Sequence, residues 1–148
     1  MRSKAVLFLI AAGIAAFDQL AKGWIVARLG VGESVALIPG VLYLSHAHNT
    51  GLAFGLMGGR NPLLAALAGA IALGVAWGLL GERFPGWWGR LGGALILGGA
   101  VGNLIDRVAR GYVVDYIDFR FFPAFNVADA AVVVGAVAVG AALLWRKG

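Results

Sequence analysis

The chain has 148 residues, of which 61% are apolar and only 13% are charged. Soluble domains carry roughly 25% charged residues, and disordered chains combine high charge with low hydrophobicity. This composition therefore excludes a disordered chain, argues against a soluble domain and indicates an integral membrane protein. The chain has no cysteine, which excludes disulfides and thiolate chemistry, and its net charge of +5 comes without a nucleic-acid-binding motif. We expect no nucleic-acid partner.

Apolar stretches predict four transmembrane helices, at about residues 5–27, 61–81, 91–108 and 126–145. About 20 apolar residues are enough for one crossing of a bilayer. The first stretch follows Arg2 and Lys4 as a signal peptide would, but its apolar pattern continues past Asp18 and Lys22. We therefore expect a retained helix and a single membrane-embedded domain over residues 1–148, in an all-α membrane protein.

Two long connections lie at one side of these helices. In residues 28–60, apolar side chains alternate on both sides of Pro39-Gly40, at Val35, Leu37, Val41 and Tyr43. This alternation predicts two strands and a turn, and so a small β-sheet on the outer membrane surface. Residues 109–125 are rich in aromatic and charged residues, which is typical of a loop at the membrane interface.

The distribution of charge predicts the topology. Four spans place both termini and the 81–90 loop on one side, which then holds six cations and one acid: Arg2, Lys4, Arg83, Arg90, Arg146, Lys147 and Glu82. The other side holds six cations and six acids. The number of Lys and Arg residues is therefore equal on the two sides and does not decide the topology. The cations of the second side can pair with carboxylates within the fold, whereas those of the first side lie in the termini and a short loop with a single acid. We therefore expect the termini and the 81–90 loop to be cytoplasmic.

Ionisable groups within spans are costly and are candidates for function. Asp18 and Lys22 are four residues apart and share a helix face. They form either a structural ion pair or a pair that orients a site. At the end of the third span, Asn103, Asp106 and Arg107 can form a hydrogen-bonded network, either structural or functional.

Asp115 and Asp129 are the candidate catalytic pair. Two carboxyl groups in a partly desolvated site do not both ionise easily, so one keeps its proton. Such a pair can activate water and protonate a leaving group, as in aspartic proteases. Asn126, three residues before Asp129, can face the same direction. The alternative is that Asp115 is a surface charge and Asp129 a carboxylate favoured at a helix N-terminus.

The loop that begins at Asn49 is either a turn or a contact for substrate. His46 and His48 precede it and could share a strand face, but no third metal ligand is evident nearby. We expect no metal and no cofactor. The sequence also lacks a nucleophilic-serine elbow and a His-Glu-x-x-His motif, so serine and zinc peptidase mechanisms are not expected.

The ordered motifs resemble the lipoprotein signal peptidase family, also called signal peptidase II. They are Asp18-x-x-x-Lys22, Asn49-x-Gly51-x-Ala53-Phe54, Gly102-Asn103-x-x-Asp106-Arg107, Val113-Val114-Asp115-Tyr116-Ile117-Asp118 and Phe125-Asn126-x-Ala128-Asp129. Each motif is short, but all five in order are specific, and they extend over nearly the whole chain.

The resemblance implies an aspartyl endopeptidase of the bacterial inner membrane. It implies cleavage of prolipoproteins before the diacylglyceryl-modified cysteine, and inhibition by globomycin-type compounds. Asp115 and Asp129 match the catalytic positions. Supporting or substrate-binding positions are matched by Asp18, Lys22, Asn49, Gly51, Asn103, Asp106, Arg107 and Asn126. The partners implied are diacylglyceryl-modified prolipoproteins and membrane lipids.

The chain departs from the common family pattern at Ala21, Leu52 and Ala130. These departures affect local hydrogen bonds rather than the presumed catalytic pair. Two other classes stay open from the residues alone: a small transporter with a proton or ion path, and a non-catalytic lipid-binding or assembly protein. A transporter would place ionisable groups across the membrane depth, whereas here they cluster near one face.

Overall fold

A computed structural model describes residues 2–51 and 61–145. Its helices are α1 (Arg2–Arg28), α2 (Asn61–Leu80), α3 (Gly86–Ala109) and α4 (Val127–Trp145), and its strands are β1 (Ser34–Ile38), β2 (Leu42–Asn49) and β3 (Val113–Asp118). All four helices are long and apolar enough to cross a membrane. The prediction of four membrane-spanning helices with a small sheet is therefore confirmed.

The central helix of the bundle is α3, which packs against each of the other three helices. Over half of its most apolar stretch is buried, whereas α1, α2 and α4 present most of theirs outward. Outward-facing side chains such as Leu9, Leu73 and Val137 are each more than 60% exposed. A soluble protein rarely exposes so much apolar surface, but a bilayer covers it.

Glycines on α3 allow the neighbouring helices to approach closely. A Cβ at Gly92 would lie 2.6 Å from the carbonyl oxygen of Gly135 on α4, and one at Gly98 would lie 2.6 Å from that of Ala11 on α1. Neither distance leaves room for a methyl group. The expectation that small residues serve helix packing is met at these positions.

The three strands form one antiparallel sheet in the order β1-β2-β3. The predicted hairpin around Pro39-Gly40 is present, and Gly40 has a φ of +77°, which a glycine adopts without strain. The third strand lies where the sequence analysis expects only an interfacial loop. Residues 113–118 contain valine, tyrosine and isoleucine, which favour strands, and β2 supplies the partner that sequence reasoning did not assign.

The largest shift of a helix boundary is at the start of α3, which is predicted near residue 91 but begins at Gly86. Pro85 is the N-cap, consistent with the tolerance for proline where backbone N–H groups have no helical partner. Trp87 and Trp88 therefore lie on the helix rather than in a loop, and Arg90 lies on its second turn. The other boundaries agree within about three residues.

Candidate active site

The predicted catalytic carboxyl groups come from two elements that meet at one end of the bundle. Asp115 lies on β3, and Asp129 lies in the first turn of α4. Asn126 connects them, because its Nδ2 donates to Asp115 Oδ1 at 2.8 Å and its Oδ1 accepts from the backbone N–H of Asp129 at 2.8 Å. The tertiary structure thus brings together two residues that are 14 positions apart.

Local sequence explains why α4 begins where it does. Asn126 and Asp129 cap the helix reciprocally, since the Asp129 carboxylate also accepts from the backbone N–H of Asn126 at 3.3 Å. Asp18 on α1 accepts from the backbone N–H of Ala128 at 3.1 Å. These contacts satisfy free N–H groups of the first turn and fix the position of Asp129.

Asp115 is almost entirely buried, with 3% of its surface exposed. Its Oδ2 accepts a hydrogen bond from Asn49 Nδ2 at 2.9 Å, in addition to the bond from Asn126 to Oδ1. Burial raises the pKa of Asp115 to about 6, and the nearby Asp129 adds to this rise, while the Asn49 and Asn126 hydrogen bonds oppose it. Asp115 therefore holds a proton more readily than an ordinary aspartate.

Asp129 is half-buried and is held by different groups. Its Oδ1 accepts from Asn103 Nδ2 at 2.7 Å. The Asn103 Oδ1 accepts from Lys22 Nζ at 3.0 Å, so a buried cation lies one side chain away from this carboxylate. The position of Asp129 at the N-terminus of α4 also favours negative charge.

A buried charge cluster lies behind the pair. Lys22 Nζ is 2.6 Å from Asp18 Oδ2 and 3.0 Å from Asp106 Oδ2, and all three side chains are fully buried. Asp106 Oδ2 also accepts from the backbone N–H of Val114 at 2.9 Å, which ties α3 to the strand that carries Asp115. A Cβ at Gly102 would lie 2.8 Å from Asp18 Oδ2, so glycine makes room for this cluster.

An open cleft of about 320 Å³ adjoins the carboxyl of Asp115. Its lining residues are Ala47, His48, Asn49, Thr50, Asp115, Pro123 and Ala124. Gly51 closes the turn beside it, with a φ of +102° and its N–H donating to Asn49 Oδ1 at 2.8 Å. This bond points the Asn49 amide nitrogen at Asp115. The adjoining motif residues 52–55 lie outside the described residues.

His46 and His48 share a face of β2, as the spacing predicts. Their Nε2 atoms are 3.2 Å apart, His46 Nδ1 is 2.8 Å from the carbonyl oxygen of Leu29, and the His48 ring stacks on Tyr112. Within residues 2–51 and 61–145, His, Asp and Glu form no group of three or more that could hold a metal. The absence of a metal stays a prediction.

Arg107 is half-buried, and its guanidinium donates to the carbonyl oxygen of Asn103 at 3.4 Å. Two further residues belong to this network but were not predicted from the sequence, Gln19 and Arg110. Gln19 Nε2 donates to Asp106 Oδ1 at 3.0 Å, and Arg110 forms an ion pair with the same oxygen. The sequence contains an indication of each, because Gln19 is a polar residue within a span and Arg110 is four residues after Asp106.

The fold and this arrangement define a multi-pass membrane protein with a pair of carboxyl groups at one end of its helices. The family model described as signal peptidase (SPase) II matches residues 10–145. A lipoprotein signal peptidase of Trichormus variabilis is 45% identical over 99% of this chain and 95% of its own length. That of Halothermothrix orenii is 37% identical over 96% and 97%.

Solved structures agree with the sequence comparison. A bacterial membrane enzyme solved by the in meso method at 2.3 Å resolution superposes with a TM-score of 0.88 at 30% identity, covering 97% of this chain and 90% of that one. A second, at 1.9 Å resolution, gives a TM-score of 0.86 at the same identity and covers 95% and 93%.

The chain belongs to the signal peptidase II family and is a peptidase. The predicted family is confirmed, and so is the prediction of a peptidase. The aspartic mechanism stays a prediction. The transporter and assembly alternatives are set aside, and among the described residues the buried charged groups gather at one end of the bundle, as the peptidase prediction requires.

Proposed function

We propose that the chain is an aspartyl endopeptidase that removes the signal peptide from lipid-modified prolipoproteins, cleaving before the diacylglyceryl-cysteine. The observation that carries this proposal is the convergence of Asp115 and Asp129 on Asn126, beside an open cleft. Four amide N–H groups donate to the four carboxyl oxygens, one to each, and these hydrogen bonds hold the pair in place.

Asp129 is the general base and Asp115 the general acid in this mechanism. Asp129 is supported as an anion by Asn103 and by the N-terminus of α4, whereas burial raises the pKa of Asp115. Asp129 takes a proton from a water molecule as the oxygen of that water attacks the peptide carbonyl carbon. Asp115 donates its proton to the carbonyl oxygen, which gives a neutral tetrahedral intermediate. As the C–N bond breaks, Asp129 passes the proton that it took from water to the leaving amine, and Asp115 takes back a proton from a hydroxyl of the intermediate as the C=O bond re-forms.

We further propose that the protein lies in the bacterial inner membrane with the site near its outer face. Both chain ends would then lie in the cytoplasm, together with the Lys4–Glu82 ion pair of the 81–85 turn region. Basic residues at that end follow the positive-inside distribution. The diacylglyceryl group would remain in lipid while the peptide enters the cleft, and a globomycin-type inhibitor would compete for the same cleft.

The decisive experiment is cleavage of a lipidated precursor by purified Asp115→Asn and Asp129→Asn variants. We expect each to lose activity by roughly 10⁴-fold, because each carboxyl has a separate part in proton transfer. Asp118→Asn is the matched control, since Asp118 lies on the same strand but bonds Ser45 and Arg120. Full activity in either folded dyad variant would refute the assignment, and activity in excess EDTA tests metal independence.

Topology can be tested because the chain has no native cysteine. Single cysteines at Val31, beside the sheet, and at Glu82, in the opposite turn, should react from opposite sides with a membrane-impermeant maleimide. We expect Val31→Cys to be labelled in intact spheroplasts and Glu82→Cys only after lysis. Labelling of both from the same side would contradict this topology.

A further inference from the structure

Three asparagines present their amide nitrogens to the two carboxyl groups, and each does so because its oxygen is held by another donor. Asn49 Oδ1 accepts from the backbone N–H of Gly51, and Asn126 Oδ1 accepts from the backbone N–H of Asp129. Asn103 differs, because both donors to its Oδ1 are side chains, the Lys22 ammonium at 3.0 Å and Asn126 Nδ2 at 3.3 Å. Lys22 is the nearer and the charged donor, so replacing Lys22 removes the stronger of the two contacts that orient Asn103.

An asparagine amide can be turned by 180° at little cost in shape, and its hydrogen bonds decide which way it points. An ammonium group only donates, so the Asn103 oxygen must face Lys22. The Asn103 nitrogen must then face the other way, where it donates to Asp129 Oδ1 at 2.7 Å. If the amide turned, its oxygen would face the carboxylate and repel it.

The ammonium of Lys22 is enclosed by three oxygens of its partners. Three oxygens lie within 3.0 Å of Nζ, from Asp18, Asp106 and Asn103, and an ammonium carries three N–H groups. Lys22 has no exposed surface. Because these oxygens enclose the ammonium and Lys22 has no exposed surface, Lys22 does not reach the substrate or the reacting atoms.

Resting on the function proposed above, we propose that Lys22 is a positioning residue that fixes the Asn103 amide so that Asn103 donates to Asp129. The role of Lys22 is thereby distinct from that of a structural ion pair with Asp18. The buried cation also supports the negative charge of the base through one intervening amide. Both effects act on the chemical step rather than on substrate binding.

Several other charged or titratable groups face this cluster. They are Asp18 on α1, Asp106, Arg107 and Arg110 on α3, Asp115 and Tyr116 on β3, and Asp129 on α4. Asp18 and Asp106 remain in place when Lys22 is replaced, so the cluster then becomes more negative. A more negative cluster makes proton loss from the base harder, which moves the acidic limb of activity to higher pH.

The test is the pH profile of precursor cleavage by Lys22→Met. We expect kcat to fall by roughly 10²-fold, the loss typical of one preorganised donor, with KM unchanged and the acidic limb of kcat/KM moved to higher pH. Lys4→Met is the matched control, because Lys4 pairs with Glu82 at the opposite end. If Lys22 served only the fold, or acted only through its charge, the folded Lys22→Met enzyme would keep its kcat at pH values above the acidic limb, and that result would overturn the inference.

Asn103→Ala supplies the second arm. It should reproduce the loss in kcat, and adding Lys22→Met to it should lower kcat little further, since both substitutions remove the same contact to Asp129. If Lys22→Met does not fold, Lys22→Met with Asp18→Asn removes one buried charge of each sign and is measured instead. The inference is overturned if the two losses in kcat add, or if Asn103→Ala alone leaves kcat unchanged.

The proposed function and this inference fail in different ways. Failure of the unmodified protein to cleave, or full activity of Asp129→Asn, would remove the aspartyl mechanism itself. A cleaving enzyme that needs Asp129 but keeps its kcat and pH profile in Lys22→Met would remove only the positioning role.

Discussion

Charged side chains occur at both ends of the helix bundle, but in opposite surroundings. At the site end, Lys22 and its two carboxylate partners have no exposed surface. At the other end, Lys4 and Glu82 form an ion pair of 3.0 Å with side chains that are 33% and 58% exposed. An exposed pair contributes little to stability, whereas a buried charge must be matched by its partners. Oppositely charged residues thus form an exposed ion pair at one end of the bundle and a buried cluster behind the proposed catalytic pair at the other.

The neighbouring cavities differ in the same way. The cleft at the site end includes the carboxyl of Asp115 and the polar side chains of Asn49 and Thr50. A larger groove of about 580 Å³ at the other end is lined by three tryptophans, three alanines, Pro85 and Gly86. Cavity size alone would point to the wrong end, since the larger groove contains none of the proposed catalytic groups.

The largest expected difference in stability compares Asp106→Asn with Glu82→Gln. Loss of the Asp106 charge leaves the buried Lys22 with one carboxylate partner fewer, and breaking a buried pair costs roughly 3–5 kcal/mol. Glu82→Gln should leave the free energy of unfolding unchanged. Denaturant or thermal unfolding in detergent measures both. Equal changes in the free energy of unfolding would contradict the proposed difference between the buried cluster and the exposed pair.

A second comparison tests the close helix contacts. Gly99 on α3 lies against the backbone carbonyl of Ala128 on α4, next to Asp129, whereas Gly140 farther along α4 has open space around its Cβ position. We expect Gly99→Ala to destabilise the protein by about 1–3 kcal/mol through overpacking. Gly140→Ala should be neutral or slightly stabilising because alanine favours the helix. The midpoint of thermal unfolding, with kcat as a second readout, would separate them, and an unaffected Gly99→Ala protein would contradict this packing.

The smallest predicted effect concerns pH dependence within the site. Burial raises the pKa of Asp115 to about 6, and the hydrogen bond from Asn49 opposes that rise. If Asp115 is the acid, activity falls as it loses its proton, giving an alkaline limb of kcat/KM at or above about pH 6. Asn49→Ala removes the opposing bond, raises the pKa of Asp115 further and should move this limb to higher pH.

Thr50→Ala is the control for that experiment. Thr50 lines the same cleft, but the hydrogen bonds to Asp115 come from Asn49 and Asn126. Its replacement should leave the alkaline limb in place. A shift to lower pH in Asn49→Ala would mean that Asp115 is not the group whose proton loss ends activity.

Much of the fold followed from the sequence because a bilayer imposes a simple rule. Long apolar stretches must cross it as helices, and their number, order and approximate bounds were predicted. The start of α3 was placed five residues late because Trp87, Trp88 and Arg90 suit both a loop and an interfacial helix. The strand β3 was missed because its partner is more than 60 residues away in the chain.

Most residues of the candidate site could also be predicted from the sequence, but the contacts between them could not. The i, i+4 spacing predicted the pairing of Asp18 with Lys22, and the i, i+3 spacing predicted that Asn126 and Asp129 face together. Spacing carries no information on which amide meets which carboxylate. Gln19 and Arg110 were overlooked because their importance depends on Asp106, which each reaches from a separate turn or helix.

The amino-acid sequence by itself determined that this is a membrane protein, how often it can cross, and which polar residues its spans must tolerate. Long apolar stretches with few charges can cross a bilayer only as helices, so the hydropathy pattern was sufficient to predict the spans. Only the tertiary structure decided that Lys22 faces Asn103, that Asn103 faces Asp129, and that Asp115 is buried on a strand. Those facts depend on hydrogen-bond directions between distant segments, which are fixed when α1, α3, β3 and α4 pack together.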